Sequence, residues 1–515
     1  MILDDWPASS ILYPVSNIQP MKSSSIIKNT FSLITAHLFG RILSFVLIIM
    51  LPRYLEGGFD DLGRYFAALW LAILLGTITE LGLYTPLVRE VAADRSKAPK
   101  IISNVLVIRL ILLCITFLII VVLSRFMYSG DIAPLIYILG ISEILNALTQ
   151  LCRRVFRAFE RMGFEALGII LERIIVFALG IGVLIRGYGI ISFSIVVLTA
   201  SVLNLVLTFS IMVWKFSRPS LRFLDVKLCG HLLKQALPFA LAGALSTIYF
   251  RIDGLMLKHI MGPVGNTAAG WYGTAYNLVM VMTIIPGAFM GSVFPVMSRM
   301  LQSSAAAMDF LYTKSLKLMF IIALPIAVGV TFLADKMVSI IYSAERFAPQ
   351  DQQALSQILE ILIWAGALIF INFVLITVFR AANKRRAFSV MMAVSVSVNI
   401  GANLLLIPRY GHLGAAASMI ISESVFFICG LWYIHRHVCK LNEVAFVVKS
   451  AFASGFLGLG LFVWKYAGYS ESVSVALVIC LAVIAYFAAI LALKGITRED
   501  IDMVRGQFQG SVEIE

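Results

Sequence analysis

The sequence predicts an all-α integral membrane protein of about fourteen transmembrane helices, arranged as two parallel six-helix bundles plus two C-terminal helices. Three observations predict it. The chain is 60% hydrophobic and 13% charged, with a mean hydropathy of +0.94, outside the range of soluble domains. Apolar segments of about 20 residues, each enough to cross ~30 Å of hydrocarbon, recur from end to end. Lysine and arginine also alternate between successive connections, as they do in multi-spanning proteins.

The first six predicted spans are Thr30–Leu51, Leu62–Tyr84, Ile101–Leu123, Ile132–Leu151, Ala166–Ile185 and Ile190–Trp214. The next six are Ala236–Leu257, Gly270–Met297, Ser315–Leu333, Ala354–Val378, Ala387–Ile407 and His412–Ile434, and the last two are Phe446–Trp464 and Ser472–Leu493. The longest connections, Lys215 to Gln235 and Asp335 to Gln353, are too short to bury a core of their own. The expected organisation is a cytoplasmic segment (1–28), a first bundle (29–214), a linker (215–235), a second bundle (236–434), two extra helices (435–495) and a tail (496–515). Residues 1–28 are polar and mixed and lack the charged start and short apolar core of a signal peptide, so the first span is expected to be retained.

With the N-terminus placed inside, the inward connections with the adjoining turn of each span hold 28 of the 41 basic residues and the outward ones, counted the same way, hold 9. That asymmetry puts both termini in the cytoplasm. It also accounts for the net charge of +13 by topology, which removes the case for a nucleic-acid surface. None of the six cysteines falls in an outward loop and no CxxC pair is present, so neither a structural disulfide nor a metal or other cofactor is expected.

Two short motifs repeat. Gly63-x-Tyr65-x-x-Ala68 opens the second span and Gly270-x-Tyr272-x-x-Ala275 opens the eighth, 207 residues later. Leu184-Ile185-Arg186-Gly187-Tyr188-Gly189 and Leu406-Ile407-Pro408-Arg409-Tyr410-Gly411 join equivalent spans at an offset of 222. An even number of spans per repeat means that both bundles enter from the same side, around an axis along the membrane normal.

Charges inside spans are costly and point to function. Thr30, His37, Arg41 and Ser44 share one face of the first span. Arg251 and Asp253, two residues apart in the seventh, point to opposite sides and must find separate partners. Arg109 lies two turns into the third span, while Arg173, beside Glu172, is placed to snorkel to the interface. The candidate substrate contacts are therefore Arg41, Arg251, Arg109 and His37. Asp253, Glu143 and Glu423 either pair with arginines or bind a coupling cation or proton. No P-loop, metal-ligand cluster or large outward loop is present, which argues against an enzyme and for a transporter.

The chain resembles the polysaccharide-unit flippases of the multidrug/oligosaccharidyl-lipid/polysaccharide exporter superfamily from about Lys28 to Lys494. The carrying residues are Gly40-Arg41-Ile42-Leu43-Ser44, Leu81-Gly82-Leu83 with Val88-Arg89-Glu90, Arg251-Ile252-Asp253, and Gly270-x-Tyr272-x-x-Ala275. Asn399-x-x-x-Asn403 leading into Ile407-Pro408-Arg409-Tyr410-Gly411-His412-Leu413-Gly414-Ala415-Ala416 is the most specific. The resemblance implies a lipid-linked oligosaccharide, carried on a polyprenyl pyrophosphate, moved across a bacterial inner membrane; the two-bundle plan implies alternating access. Its expected partners are that substrate, membrane lipids and other polysaccharide-assembly membrane proteins. The alternative is a cation-coupled exporter of small amphiphiles, in which the intramembrane acids matter and the arginines do not.

Overall fold

The structure is a computed structural model that describes residues 23–127, 132–343, 345–466 and 475–497. Fifteen α-helices appear among them, with no strands. They are α1 (Ser23–Tyr54), α2 (Gly58–Glu80), α3 (Tyr84–Ala93), α4 (Ala98–Met127), α5 (Ile132–Ala158), α6 (Met162–Ile185), α7 (Gly189–Lys215) and α8 (Val226–Ile260). These are followed by α9 (Gly265–Val281), α10 (Ile284–Ser303), α11 (Ala305–Ile341), α12 (Pro349–Ala381), α13 (Arg385–His437), α14 (Ala445–Tyr466) and α15 (Val475–Ala492). Residues 1–22, the tail beyond residue 497, the start of the last predicted span at Ser472 and the side chain of Thr30 lie outside the described residues.

Helices α1 to α7 pack among themselves as one lobe and α8 to α13 as another, with α14 and α15 seated on α11. Among the described residues twelve helices are long and apolar enough to cross a bilayer, and α13 is two of the predicted spans in one. At Gly411 (φ 57°, ψ −130°) the backbone takes a conformation open only to glycine. The chain then reverses: Asn399 Nδ2 donates to Ser422 Oγ at 3.3 Å, although a straight helix would set them about 34 Å apart. Gly414 permits the tight return, since a Cβ there would fall 2.4 Å from the Leu406 carbonyl oxygen.

Three local features differ from the sequence expectation. The second span ends at Glu80, not Tyr84, because Leu81 and Gly82 are left-handed, and the short helix α3 follows. The predicted eighth span is two helices. Pro286 has no N–H and crowds the Met282 carbonyl, so Met282 and Thr283 fall back to i→i−3 bonds between α9 and α10. Helix α8 also starts ahead of the predicted seventh span. Asp225 caps α8 by accepting from the Lys227 and Leu228 amides, which starts the helix ten residues before Ala236. A hydrogen bond from Lys100 holds the Asp225 carboxyl below the usual carboxylate range.

Both halves of the glycine repeat meet where the lobes touch. A Cβ on Gly63 would fall 1.7 Å from the Asn266 carbonyl oxygen, and one on Gly270 would fall 2.0 Å from that of Phe59. The contact is reciprocal, as a parallel repeat requires, and only hydrogen side chains allow this approach of α2 to α9. It continues one and two turns on. Phe66 and Trp70, stacked at 5.4 Å, fill the hollows over Gly273 and Gly254. This seam lies towards the face that carries the α1–α2, α8–α9 and α11–α12 connections, where Phe59, Tyr342 and Phe347 form an aromatic cluster.

The seam sets a test. In a background lacking the six native cysteines, Gly63→Leu or Gly270→Leu should prevent closure. A cysteine at Asn277, beyond the seam, should then label several-fold faster with an impermeant thiol reagent applied from the seam side. Labelling at the parental rate in both variants would mean that the seam does not close this face.

Candidate functional site

Beyond the seam, the lobes part around a cavity of about 610 Å³. Its first-lobe wall comes from one stripe of α1, namely His37, Gly40, Arg41, Ser44, Phe45 and Ile48, with Gln150 and Arg153 of α5 and Glu172 and Arg173 of α6. The spacing of the α1 residues is that of a single helical face. A flanking stripe of α1 exposes Phe31, Ile34, Leu38 and Ile42. Across the gap stand Phe250 and Arg251 of α8, Tyr276, Asn277 and Met280 of α9, and Thr283 at the break before α10.

Four arginines and one carboxylate line this space. The carboxylate is already engaged: Glu172 accepts from Arg153 Nη2 at 2.9 Å and from Asn204 Nδ2 at 2.7 Å. Nearby, Arg157 holds buried Glu165 through two bonds of 2.6 Å. Among the described residues no carboxylate lies within ion-pair distance of Arg41, Arg173 or Arg251. Arg173 Nη1 donates to Ser44 Oγ at 3.3 Å, and Arg41 Nη1 donates across the gap to Thr283 Oγ1 at 3.3 Å. These are weak neutral acceptors for full charges, so the cavity carries a net positive field that low-dielectric walls concentrate. Forked guanidinium donors suit phosphate oxygens in particular.

Of the sequence candidates, the structure brings His37, Arg41 and Arg251 to one cavity, together with Arg153 and Arg173. Arg173 does not snorkel to an interface; it packs over Gly40, where a Cβ would lie 3.1 Å from its Cγ. A one-sided reading of α6 at positions 169, 172 and 173 was the signal available for it. Arg109 is not brought to this cavity. It is fully buried between α4 and α5, with Nη1 donating to the Ala147 carbonyl at 2.6 Å and its guanidinium 4.3 Å from the Tyr84 ring centre. Its place is in packing of the first lobe.

Asp253 points away from Arg251, as their spacing requires, into the second lobe. It accepts from Tyr272 Oη at 2.9 Å and Asn403 Nδ2 at 2.6 Å. Asn403 also donates to Asn399 Oδ1 at 3.1 Å, and Asn399 and Tyr249 both donate to Ser422 Oγ. Next along the helix, Glu423 accepts from Asn372 Nδ2 at 2.7 Å. Two buried carboxylates thus sit in one neutral hydrogen-bonded network across α8, α9, α12 and both arms of α13, with no cation in ion-pair reach among the described residues. The Oδ1 of Asn403, beside Asp253, is buried without a donor. Glu143 lies apart from these two, in the first lobe, with Asn146 Nδ2 at 3.3 Å.

Comparison with solved structures places the fold. The chain superposes on a lipid II flippase, MurJ, in an inward closed conformation, with a TM-score of 0.71 at 17% identity, covering 90% of this chain and 98% of that one. An inward-facing multidrug resistance MATE transporter of the MOP superfamily gives 0.65 at 14% identity, over 80% and 98%. A MOP superfamily transporter from Pyrococcus furiosus, described as having a binding pocket of reverse polarity, gives 0.59 at 14%, over 83% and 100%. An uncharacterized membrane protein of Methanocaldococcus jannaschii is 20% identical over 236 residues, 46% of this chain; the alignment spans 44% of that relative's length. Residues 26–301, more than half of the sequence, match the family described as Polysaccharide biosynthesis protein, and the chain belongs to that family, with the helical fold of the MOP transporters.

Proposed function

We propose that the protein is a flippase for a polyprenyl-pyrophosphate-linked oligosaccharide, moving it from the cytoplasmic to the periplasmic leaflet of a bacterial inner membrane for surface polysaccharide synthesis. The observation that carries this reading is the convergence of Arg41, Arg173 and Arg251 on one cavity between the lobes, without a carboxylate partner for any of them among the described residues. Charges left unpaired at membrane depth are expensive unless water or a counter-charge meets them. A pyrophosphate is such a counter-charge. Three guanidinium groups drawn from α1, α6 and α8 span both lobes, so a diphosphate held by all three would favour their closure around it.

With both termini cytoplasmic, the seam of α2 and α9 would close the periplasmic face, and the cavity would be ready to load from the cytoplasm. Release then requires the seam to part. The break before Pro286 and the turn at Gly411 are where backbone hydrogen bonds are already interrupted, and hinges form most readily at such points. Family membership and the likeness to a lipid II flippase support a lipid-linked substrate.

Replacing Arg41 or Arg251 by alanine should each weaken export of the lipid-linked unit about 10- to 100-fold, the worth of a lost charge-assisted hydrogen bond at ~1.5–3 kcal/mol. Lysine at either position should restore only part of it, because a single ammonium lacks the fork. Export is read as surface polysaccharide per cell at matched protein level. Wild-type export in both alanine variants would sink the pyrophosphate reading and favour the exporter of cationic amphiphiles.

The coupling role belongs to Asp253. Its carboxylate and the unpaired Asn403 Oδ1 lie together in the buried network, oxygens of the kind that suit a proton or a hard monovalent cation. Glu423, in the same network, would share the charge change. Asp253→Asn keeps an acceptor for Tyr272 while removing the charge. It should fold, bind substrate as the parent does, and lose the dependence of transport on the imposed ion or proton gradient. A gradient response equal to the parent's would remove Asp253 from coupling.

A further inference from the structure

The space between the lobes is not one chamber. On its α2 side lies a second cavity of about 280 Å³, walled by Thr77, Glu80, Glu143, Asn146 and Thr247. It adjoins the arginine chamber, because Gln150, Arg153, Glu172 and Arg173 line both. The charges that belong to only one chamber are sorted by sign: Arg41 and Arg251 in the larger, Glu80 and Glu143 in the smaller.

The smaller chamber is also sorted by hydrogen-bond role. Thr77 Oγ1 spends its proton on the Leu74 carbonyl at 2.6 Å, and Thr247 Oγ1 spends its own on that of Gly243 at 3.1 Å. Both hydroxyl oxygens therefore offer lone pairs to the chamber. Glu80 accepts from Tyr84 Oη at 3.2 Å and Glu143 from Asn146 Nδ2 at 3.3 Å, long contacts that leave most of each carboxylate's accepting capacity free. Among the described residues no cation lies within ion-pair distance of either glutamate. A donor-rich basic chamber thus opens past the shared Arg153, Arg173 and Glu172 into one where Glu80, Glu143 and the two threonine oxygens add acceptors and negative charge. Its occupant must supply donors and must not bring a second anion.

We propose that the smaller chamber is a sugar subsite for the residue next to the pyrophosphate, selecting a sugar rich in hydroxyl or amino donors and rejecting one that carries a carboxylate. The proposal rests on the flippase reading and refines its substrate class. Hydroxyls of a neutral or amino sugar would bond Glu80, Glu143 and the two threonine oxygens. A uronic acid in the same place would set like charges together in a partly desolvated space, which is strongly unfavourable.

The test uses purified full-length protein in nanodiscs and four probes with one short polyprenyl chain: the bare pyrophosphate, and the same pyrophosphate bearing glucose, glucosamine or glucuronic acid. The expected result is that the glucuronic acid probe binds about tenfold or more weaker than the other two glycosylated probes. The Glu80→Gln/Glu143→Gln variant should close that gap and leave the bare pyrophosphate unchanged. Thr247→Val, which removes one acceptor and no charge, should weaken the glucose probe alone among the neutral and bare ones. Equal binding of the three glycosylated probes to the parent, or a gap that survives in the glutamine variant, would overturn the subsite while leaving the flippase reading intact. Failure of the bare pyrophosphate and all its glycosides to bind the parent would overturn both.

Discussion

A guanidinium group cannot rest in hydrocarbon, and three of them face the same gap in this protein with no acidic partner in reach among the described residues. That constraint organises the molecule. The first lobe must leave one stripe of α1 unpacked against its neighbours, and the second must present α8 and α9 across from it. Around this gap Glu172 neutralises Arg153 and Glu165 neutralises Arg157, while buried Arg109 gives one hydrogen bond to a carbonyl and lies over an aromatic face.

Glycine provides the complementary device. At Gly63, Gly270, Gly273 and Gly254 the lobes meet with little but backbone and two stacked rings between them. Such a contact is strong in dispersion yet carries few hydrogen bonds, so it can separate without stranding polar groups. Between the long helices, the backbone hydrogen-bond ladder is interrupted before Pro286 and at Gly411, the points at which the proposed opening would hinge. A seam of this kind suits two lobes that must be alternately joined and parted at one face.

Much of this was legible in the sequence. Span length and charge alternation delivered the helices, and the glycine repeat delivered the two-lobed plan, because both follow from local periodicity and from the physics of the bilayer. The stripe of His37, Arg41 and Ser44, and the opposed directions of Arg251 and Asp253, needed only the 3.6-residue turn. What periodicity cannot tell is which neighbour a side chain meets. Arg109 and Arg173 sit at similar depths in their helices, yet one is sealed by Tyr84 and the Ala147 carbonyl and the other opens to the cavity. The break before Pro286 was hidden for a related reason: proline is tolerated in membrane helices, and whether it bends or breaks one depends on tertiary contacts. The acceptor-rich chamber was hidden too, since it joins residues of α2, α5 and α8 that are far apart in sequence.

The most direct measurement of the central claim is where the lipid-linked oligosaccharide accumulates when the protein is depleted, read by its access to an impermeant sugar-modifying enzyme in intact and opened spheroplasts. The account predicts complete lipid-linked units that accumulate on the cytoplasmic face and become accessible only after opening. Accumulation on the periplasmic face, or none at all, would contradict it.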